Sequence, residues 1–419
     1  MSAGAHPGDY GFAVPDVQSL ARDQSPFAVR TETVEVELAA GVTFRAAPVE
    51  LGAGRFSNMF ELCIDNSTAW ICAESDIEGF FLKDLLRDNA DIAAVTGAFS
   101  FSSDYPDYRP PEPCFDLCVR QGVVVSLPTS NKPAYVSTTR GARIGTVPAN
   151  GLVEAAGRIF RWAGSKTVAD PDVWIRAGGV VVFGASNCRI DYAMAARTGF
   201  VRHVDSAENV TPADSGCVDC AVVVRDGTHR IAQVRAGGGL DYFSGNYVLR
   251  ADRSWESVLT PGTAIQILTI GELDVPDLIS GLSIGPSVGS AARGDCEGYD
   301  ESLGVSPFRD ARYARSFLYS DAGLTRLRVY DGAPLTHFFE GLSPSEAAAV
   351  MAHEKIPVDD IYYLDGGQSS KIAFRADTST RIVGSMHYLR WPSVSGEPFV
   401  WRGPEGRRLN SAFVVRARL

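Results

Sequence analysis

The stretch YYLDGGQSSKIAF at 362–374 places an acid, two glycines and two hydroxyls between apolar segments. Asp365 falls at the C-terminal end of a strand-like run, where a carboxylate can hold a sugar hydroxyl, bind a cation or act as a base. Gly366 and Gly367 permit positive φ and close approach of a ligand to the backbone. Successive N–H groups in such a loop form an anion-binding nest. Ser369 and Ser370 add hydroxyl donors of little bulk. As a bare hexapeptide, Asp-Gly-Gly is also ordinary turn chemistry, so the loop needs support from the rest of the chain.

Arg315, inside the strand-like ARSFLYSD, is a candidate phosphate ligand, because a guanidinium gives planar, charge-assisted bonds. A structural salt bridge is the plainer alternative. Gly285-Pro286-Ser287 opens a Gly/Ser-rich stretch containing Asp295, Glu297, Asp300 and Glu301. Long loops of this kind tend to be functional, although most of these acids read as a solvated face. The six histidines are scattered without metal spacing, and none is assigned to catalysis. There is no phosphate-binding P-loop. RAGGGL (235–240) does not open a helix, which argues against dinucleotide binding.

The chain has eight cysteines. Cys114 with Cys118, and Cys217 with Cys220, are the close pairs. Together they have the donors of a four-thiolate zinc site. About a hundred residues separate the pairs and no histidine flanks either. Reduced free thiols are therefore the reading, with no metal and no cofactor expected.

The elements that must position these groups are mostly strands. TETVEVELAAGVTFRAAPVEL alternates apolar and polar residues, and GGVVVFGAS, NYVLRA, TAIQILTI and LTRLRVYDG continue the β pattern. VVVRDGTHRI reads as a hairpin turning at Asp226-Gly227. Helices are fewer. SPSEAAAVMAHEKI (343–356) has Ser343 as N-cap, Pro344 at N1 and Glu346 closing a capping box. DIEGFFLKDLLRDNA (76–90) has apolar residues at helical spacing with Asp76 as its cap. DVPDLISGL (274–282) suggests a short third helix. The expected class is α+β, with β-rich mixed sheets and a few packed helices. An irregular arm over 1–25 precedes one domain over 26–419.

In that order, the elements of 311–374 resemble the C-terminal signature of the phosphodiester glycosidase family. The signature is an Arg-bearing strand (here Ala314-Arg315-Ser316-Phe317), a strand ending in Asp-Gly (LTRLRVYDG), a Ser-led helix, then the LDGG-x-SS loop. AAVTGAFSF (93–101) is similar to the family's Asn-Gly strand, and SGLSIGPSV (280–288) to its Gly-Pro loop. The resemblance implies a β-rich fold and a hydrolase acting on a sugar-1-phosphodiester. It also implies Asp365, Arg315 and Thr96 as catalytic groups, with Gly97, Gly285, Pro286, Gly366, Gly367, Gln368, Ser369 and Ser370 lining the substrate. Three positions depart from the pattern: Thr96 stands where the family has Asn, Ala98 where it has Gly, and Gln368 where it has a third Gly. A family member that binds a glycan or nucleotide sugar without turnover, or that builds an assembly, is the alternative.

A net charge of −11 repels nucleic acid and anionic membrane, so the expected partner is a small sugar-phosphate or glycan. No apolar run is long enough to span a bilayer, and the N-terminal residues lack a signal-peptide pattern. A cytoplasmic chain is the expectation.

Overall fold

The computed structural model describes residues 32–100, 111–188, 190–191, 203–204, 209–293, 312–332, 340–376, 379–385, 387–388, 400–401 and 408–418. The arm over 1–25 and the acids Asp295, Glu297, Asp300 and Glu301 lie outside these residues.

The front sheet has six strands, in the order Val34–Ala39, Val42–Gly52, Arg55–Asp65, Leu324–Tyr330, Arg315–Asp321 and Ile361–Tyr363. The central sheet has five: Ser379–Gly384, Lys371–Ala376, Asp91–Thr96, Leu409–Ala417 and Ala69–Phe80. The outer sheet, also of five, runs Val123–Ser126, Cys118–Arg120, Leu278–Ser283, Lys132–Thr138 and Gly141–Val147. Inward residues of all three meet in one core, including Phe44, Leu62 and Leu327 of the front sheet, Ile71, Ile372 and Phe413 of the central sheet, and Tyr135 and Leu282 of the outer sheet.

Between the last outer-sheet hairpin and Leu278–Ser283 the chain builds a closed barrel of seven strands. Asn150–Ala155 pairs with Arg158–Gly164 on one side and with Ala264–Ile270 on the other, which closes the ring. Val180 and Val182 join the core inside, while Val181 and Phe183 pack outside with Tyr242 and the short helix Pro171–Arg176. This is the period-2 alternation of a strand buried on both faces. Asp226 and Gly227 adopt positive φ, 49° and 73°, at the expected hairpin turn.

The expected α+β class does not form. The protein is mostly β, 55% strand against 13% helix, and the pairings are antiparallel apart from Arg158–Gly164 with Val180–Phe183. Two of the expected helices are not α-helices. Asp76–Phe80 continues the strand Ala69–Phe80 against Leu409–Ala417. Phe80, Leu82, Leu85 and Leu86 reach the sheet core through a single 3-10 turn at Leu82–Leu85. Their helical spacing reflects that burial and not a long helix. Val275–Asp277 is likewise a 3-10 turn leading into a strand. The helix Pro344–His353 forms as read, with its Ser343–Glu346 capping box. It packs with the helix Val288–Arg293 on the outward face of the front sheet, over Phe317, Tyr319 and Tyr330.

A buried ionic cluster locks the front-sheet strands in register. Glu61 accepts from Arg328 Nε at 2.5 Å, Arg326 Nη1 at 2.9 Å and the Tyr319 hydroxyl at 2.6 Å. Burial acts to raise the Glu61 pKa, but the two arginines and the tyrosine outweigh it and hold the carboxyl below its ordinary value.

Candidate active site at the end of three front-sheet strands

Three neighbouring strands deliver three charged side chains to one end of the front sheet. Arg315 opens the middle strand and is paired with Tyr330. Phe317, two residues on, is paired with Tyr363 of the other flanking strand. Both flanking strands run antiparallel to the middle one, so their C-terminal ends lie beside its start. Asp331 follows Tyr330, and Asp365 follows Tyr363 by two residues. The alternating strand directions alone therefore bring Asp331, Arg315 and Asp365 to the same edge.

Arg315 is held by its surroundings. Its Nε donates to the Leu342 carbonyl at 3.0 Å, and its guanidinium carbon lies 5.9 Å from the Tyr313 ring centre and 5.7 Å from that of Tyr363. Aromatic faces near a guanidinium favour the cation. Asp331 is buried, and its Oδ1 accepts the Gly332 N–H at 2.7 Å. Burial pushes its carboxyl up to about 7 despite that bond. Asp365 is half-buried; its N–H donates to the Gly97 carbonyl at 2.9 Å, and its Oδ1 accepts the Gly366 N–H at 2.9 Å.

The DGGQSS loop differs from the expected nest. The Gly367 N–H donates to the Ala314 carbonyl at 2.8 Å. The Ser369 and Ser370 N–H groups close a 3-10 turn onto the Gly366 and Gly367 carbonyls, each at 3.2 Å. With the two bonds made by residues 365 and 366, five loop amides are engaged within the protein. Ser369 and Ser370 are buried, and the Ser316 hydroxyl donates to that of Ser370 at 2.9 Å. Gly367 takes the left-handed conformation (φ 62°), whereas Gly366 is extended. The loop thus acts as a brace that fixes Asp365 against Ala314, Ser316 and Gly97.

The remaining predicted residues gather around this brace. Gly97 donates to the Ser411 carbonyl at 3.0 Å while its own carbonyl holds Asp365. A Cβ at Gly97 would stand 2.7 Å from the Ala412 nitrogen, so the neighbouring strand Leu409–Ala417 passes this close only because the residue is a glycine. Thr96 beside it is 1% exposed, and its buried hydroxyl has no hydrogen-bond partner. Gly285 donates to the Tyr363 carbonyl at 2.7 Å, and the Pro286 carbonyl accepts from Tyr363 at 3.1 Å. Together Gly285 and Pro286 extend the front sheet past Ile361–Tyr363. Nothing is described of the Gln368 side chain. Asp331 is the residue that sequence reading did not single out. Its signal was the repeated strand-end Asp-Gly, in RVYDG as in YYLDG.

Among the described residues, the one grouping of three potential metal donors lies elsewhere, at Glu112, Cys114 and Cys118. The thiol pairs expected as an alternative zinc set do not share a site. Cys220 is in the barrel core, and Cys217 donates to Asp214 at 2.8 Å.

No family profile and no curated protein matches the sequence. Solved structures do share its fold. A hypothetical protein from Synechocystis aligns with a TM-score of 0.52 at 13% identity, over 93% of this chain and 64% of that one. This chain therefore spans less than two thirds of that protein. A Burkholderia pseudomallei protein classed as a candidate exported protein aligns at TM-score 0.47 and 16% identity, over 86% of this chain and 74% of its own. The catalytic domain of zebrafish N-acetylglucosamine-1-phosphodiester alpha-N-acetylglucosaminidase, auto-inhibited by its pro-peptide, aligns at TM-score 0.37 and 9% identity, over 92% and 88% of the two chains. That last likeness is a loose fold relationship. No described helix is long and apolar enough to cross a membrane.

Proposed function

We propose that this edge is a hydrolytic site acting on the glycosidic bond of a sugar-1-phosphodiester. The observation that carries the reading is that three neighbouring strand ends bring Asp331, Arg315 and Asp365 to one edge of the front sheet, where burial pushes the Asp331 carboxyl up to about 7. Two carboxyls in unlike environments are the usual equipment for dividing acid and base roles. The phosphate leaving group is a weak base, so charge stabilisation matters more than proton delivery. Arg315 faces the leaving phosphate. Asp365 orients a sugar hydroxyl or activates water at C1, and Asp331 supplies or takes the proton. The braced loop contributes position, with its amides otherwise engaged, so the phosphate interaction rests on Arg315. The test is to screen natural and p-nitrophenyl sugar phosphodiesters with the wild type and Asp365→Asn. Hydrolysis should fall at least about 10²-fold in the variant, the range for loss of one acid–base group, with its melting temperature retained. Undiminished turnover in Asp365→Asn would remove the assignment.

The engaged amides and buried serines also favour a second reading, in which the edge binds a glycan or nucleotide sugar without cleaving it. Calorimetric binding of a sugar phosphodiester with no product formed by the wild type supports that reading over the first.

A further inference from the structure

Away from the strand-end site, Glu112, Cys114 and Cys118 bring three donor atoms within 4.8 Å of one another. Cys118 begins the strand Cys118–Arg120 of the outer sheet, and Cys114 is bridged to Ser100. Glu112 folds back over them, its Oε1 accepting the Cys114 N–H at 3.2 Å. All three side chains are interior, at 2%, 2% and 0% exposure. Two buried thiols alone would be unremarkable packing. The carboxylate is what needs an explanation, because Glu112 Oε2 is buried with no hydrogen bond, its ion pair with Arg120 standing at a loose 3.6 Å. An unsatisfied buried carboxylate oxygen is costly.

We propose that Glu112, Cys114 and Cys118 bind a zinc ion through two thiolates and one carboxylate. Tetrahedral ligands at about 2.0–2.3 Å from zinc stand roughly 3.5–3.8 Å from one another. The observed grouping therefore needs a contraction of at most about 1.3 Å, within reach of side-chain rotation. Soft thiolates select zinc over calcium or magnesium. Three anionic donors around a dication leave one negative charge, and the Arg120 guanidinium, 3.6 Å from Glu112 Oε2, balances it. The Ser75 hydroxyl, 3.5 Å from Cys118 Sγ, can donate to the thiolate. Such outer partners orient the ligands. Three protein ligands leave the fourth position to water. A cavity of about 320 Å³ is lined by Pro111, next in the chain to Glu112, and by Arg120, the partner of Glu112.

The full chain, stripped with a chelator under reducing conditions, is titrated with zinc against a chromophoric competitor, and its metal content is measured by mass spectrometry. The expected result is one zinc per chain, abolished in Cys114→Ser/Cys118→Ser and weakened in Glu112→Gln. Arg120→Met should bind about 10- to 100-fold more weakly. Because the double variant risks misfolding, cobalt(II) is also loaded into the wild type, where thiolate ligation gives a sulfur-to-cobalt charge-transfer band. No zinc uptake by the wild type, zinc retained by the double variant, or no such cobalt band overturns the proposal. So does a Cys114–Cys118 disulfide found in the folded chain by non-reducing peptide mapping.

Discussion

Asp331 and Asp365 end the two strands that flank the Arg315 strand, and each turns its Oδ1 back onto the N–H of the glycine that follows it, at 2.7 Å and 2.9 Å. The same Asp-Gly device thus closes the strand on either side of the one that Arg315 opens. The two differ in depth. Asp331 is buried with its carboxyl pushed up to about 7, and Asp365 is half-buried beside Gly97.

Asp331 gives stability a distinctive pH dependence. Its carboxyl titrates at about 7 when folded, against an ordinary 3.8. Between those values the folded state binds the extra proton, so this contribution is full below about pH 4 and is lost as pH rises toward 7. The loss is about 1.4 kcal/mol per pH unit across that window. Buried His229, held down to about 4, has the opposite sign there, because the unfolded chain binds the extra proton and stability rises with pH. Comparing Asp331→Asn with the wild type isolates the aspartate. Its melting temperature should match the wild type near pH 4 and exceed it above pH 7. A pH-independent difference would count against a neutral Asp331.

Thr96 separates site from scaffold. Its hydroxyl is buried and unpartnered, so Thr96→Val removes an unsatisfied group and should leave melting unchanged or slightly raised. If the hydroxyl meets substrate, turnover of a sugar phosphodiester should still drop by about tenfold, the worth of one hydrogen bond of roughly 1.5 kcal/mol. Equal turnover would assign Thr96 to packing alone.

Gly97 lies between the Asp365 loop and the neighbouring central-sheet strand Leu409–Ala417. In Gly97→Ala the new methyl would meet the Ala412 nitrogen at 2.7 Å, and a backbone neighbour cannot swing away. Destabilisation of about 1–3 kcal/mol is expected, read by denaturant unfolding. Hydrolysis should decline too, since the Gly97 carbonyl holds the Asp365 N–H.

Glu61 tests the frame. Glu61→Gln removes the carboxylate shared by Arg328 and Arg326, leaving Arg328 with Glu354 alone and Arg326 with Asp321 alone. Breaking such a pair costs about 3–5 kcal/mol. Thermal unfolding should show a loss toward the lower end of that range, whereas Glu61→Gln within experimental error of the wild type would mean that Glu354 and Asp321 suffice to balance the two arginines.

Sequence reading found what local chemistry encodes. Ser343, Pro344 and Glu346 announce their helix because capping is written within four residues. Asp226-Gly227 announces its hairpin for the same reason. Motif order put Gly97 and Gly285 beside the Asp365 strand: the Gly97 carbonyl holds the Asp365 N–H, and Gly285 donates to the Tyr363 carbonyl. Long-range partners were not legible. Nothing within residues 76–80 says that they pair with residues 409–411, so apolar spacing suggested a helix. The closure of Asn150–Ala155 onto Ala264–Ile270 has no local signal either. Asp331 escaped notice because its perturbation comes from burial, which only the assembled sheet supplies. The loop amides looked available partly because two of their acceptors, the Gly97 and Ala314 carbonyls, are more than fifty residues distant.

The placement of the barrel inside the chain has a consequence for the order in which the molecule assembles. The barrel's strands are all made by residue 270 and pair among themselves, so it can form early during synthesis. The front sheet cannot, because Arg55–Asp65 waits for Leu324–Tyr330 and Glu61 waits for Arg326 and Arg328. The central sheet waits longer still, for Leu409–Ala417 to enter between Asp91–Thr96 and Ala69–Phe80. Pairings across such separations are slow to nucleate and leave strand edges open. Until they close, Asp331, Arg315 and Asp365 have no common edge, and the nascent chain carries a finished barrel beside an inert, aggregation-prone remainder.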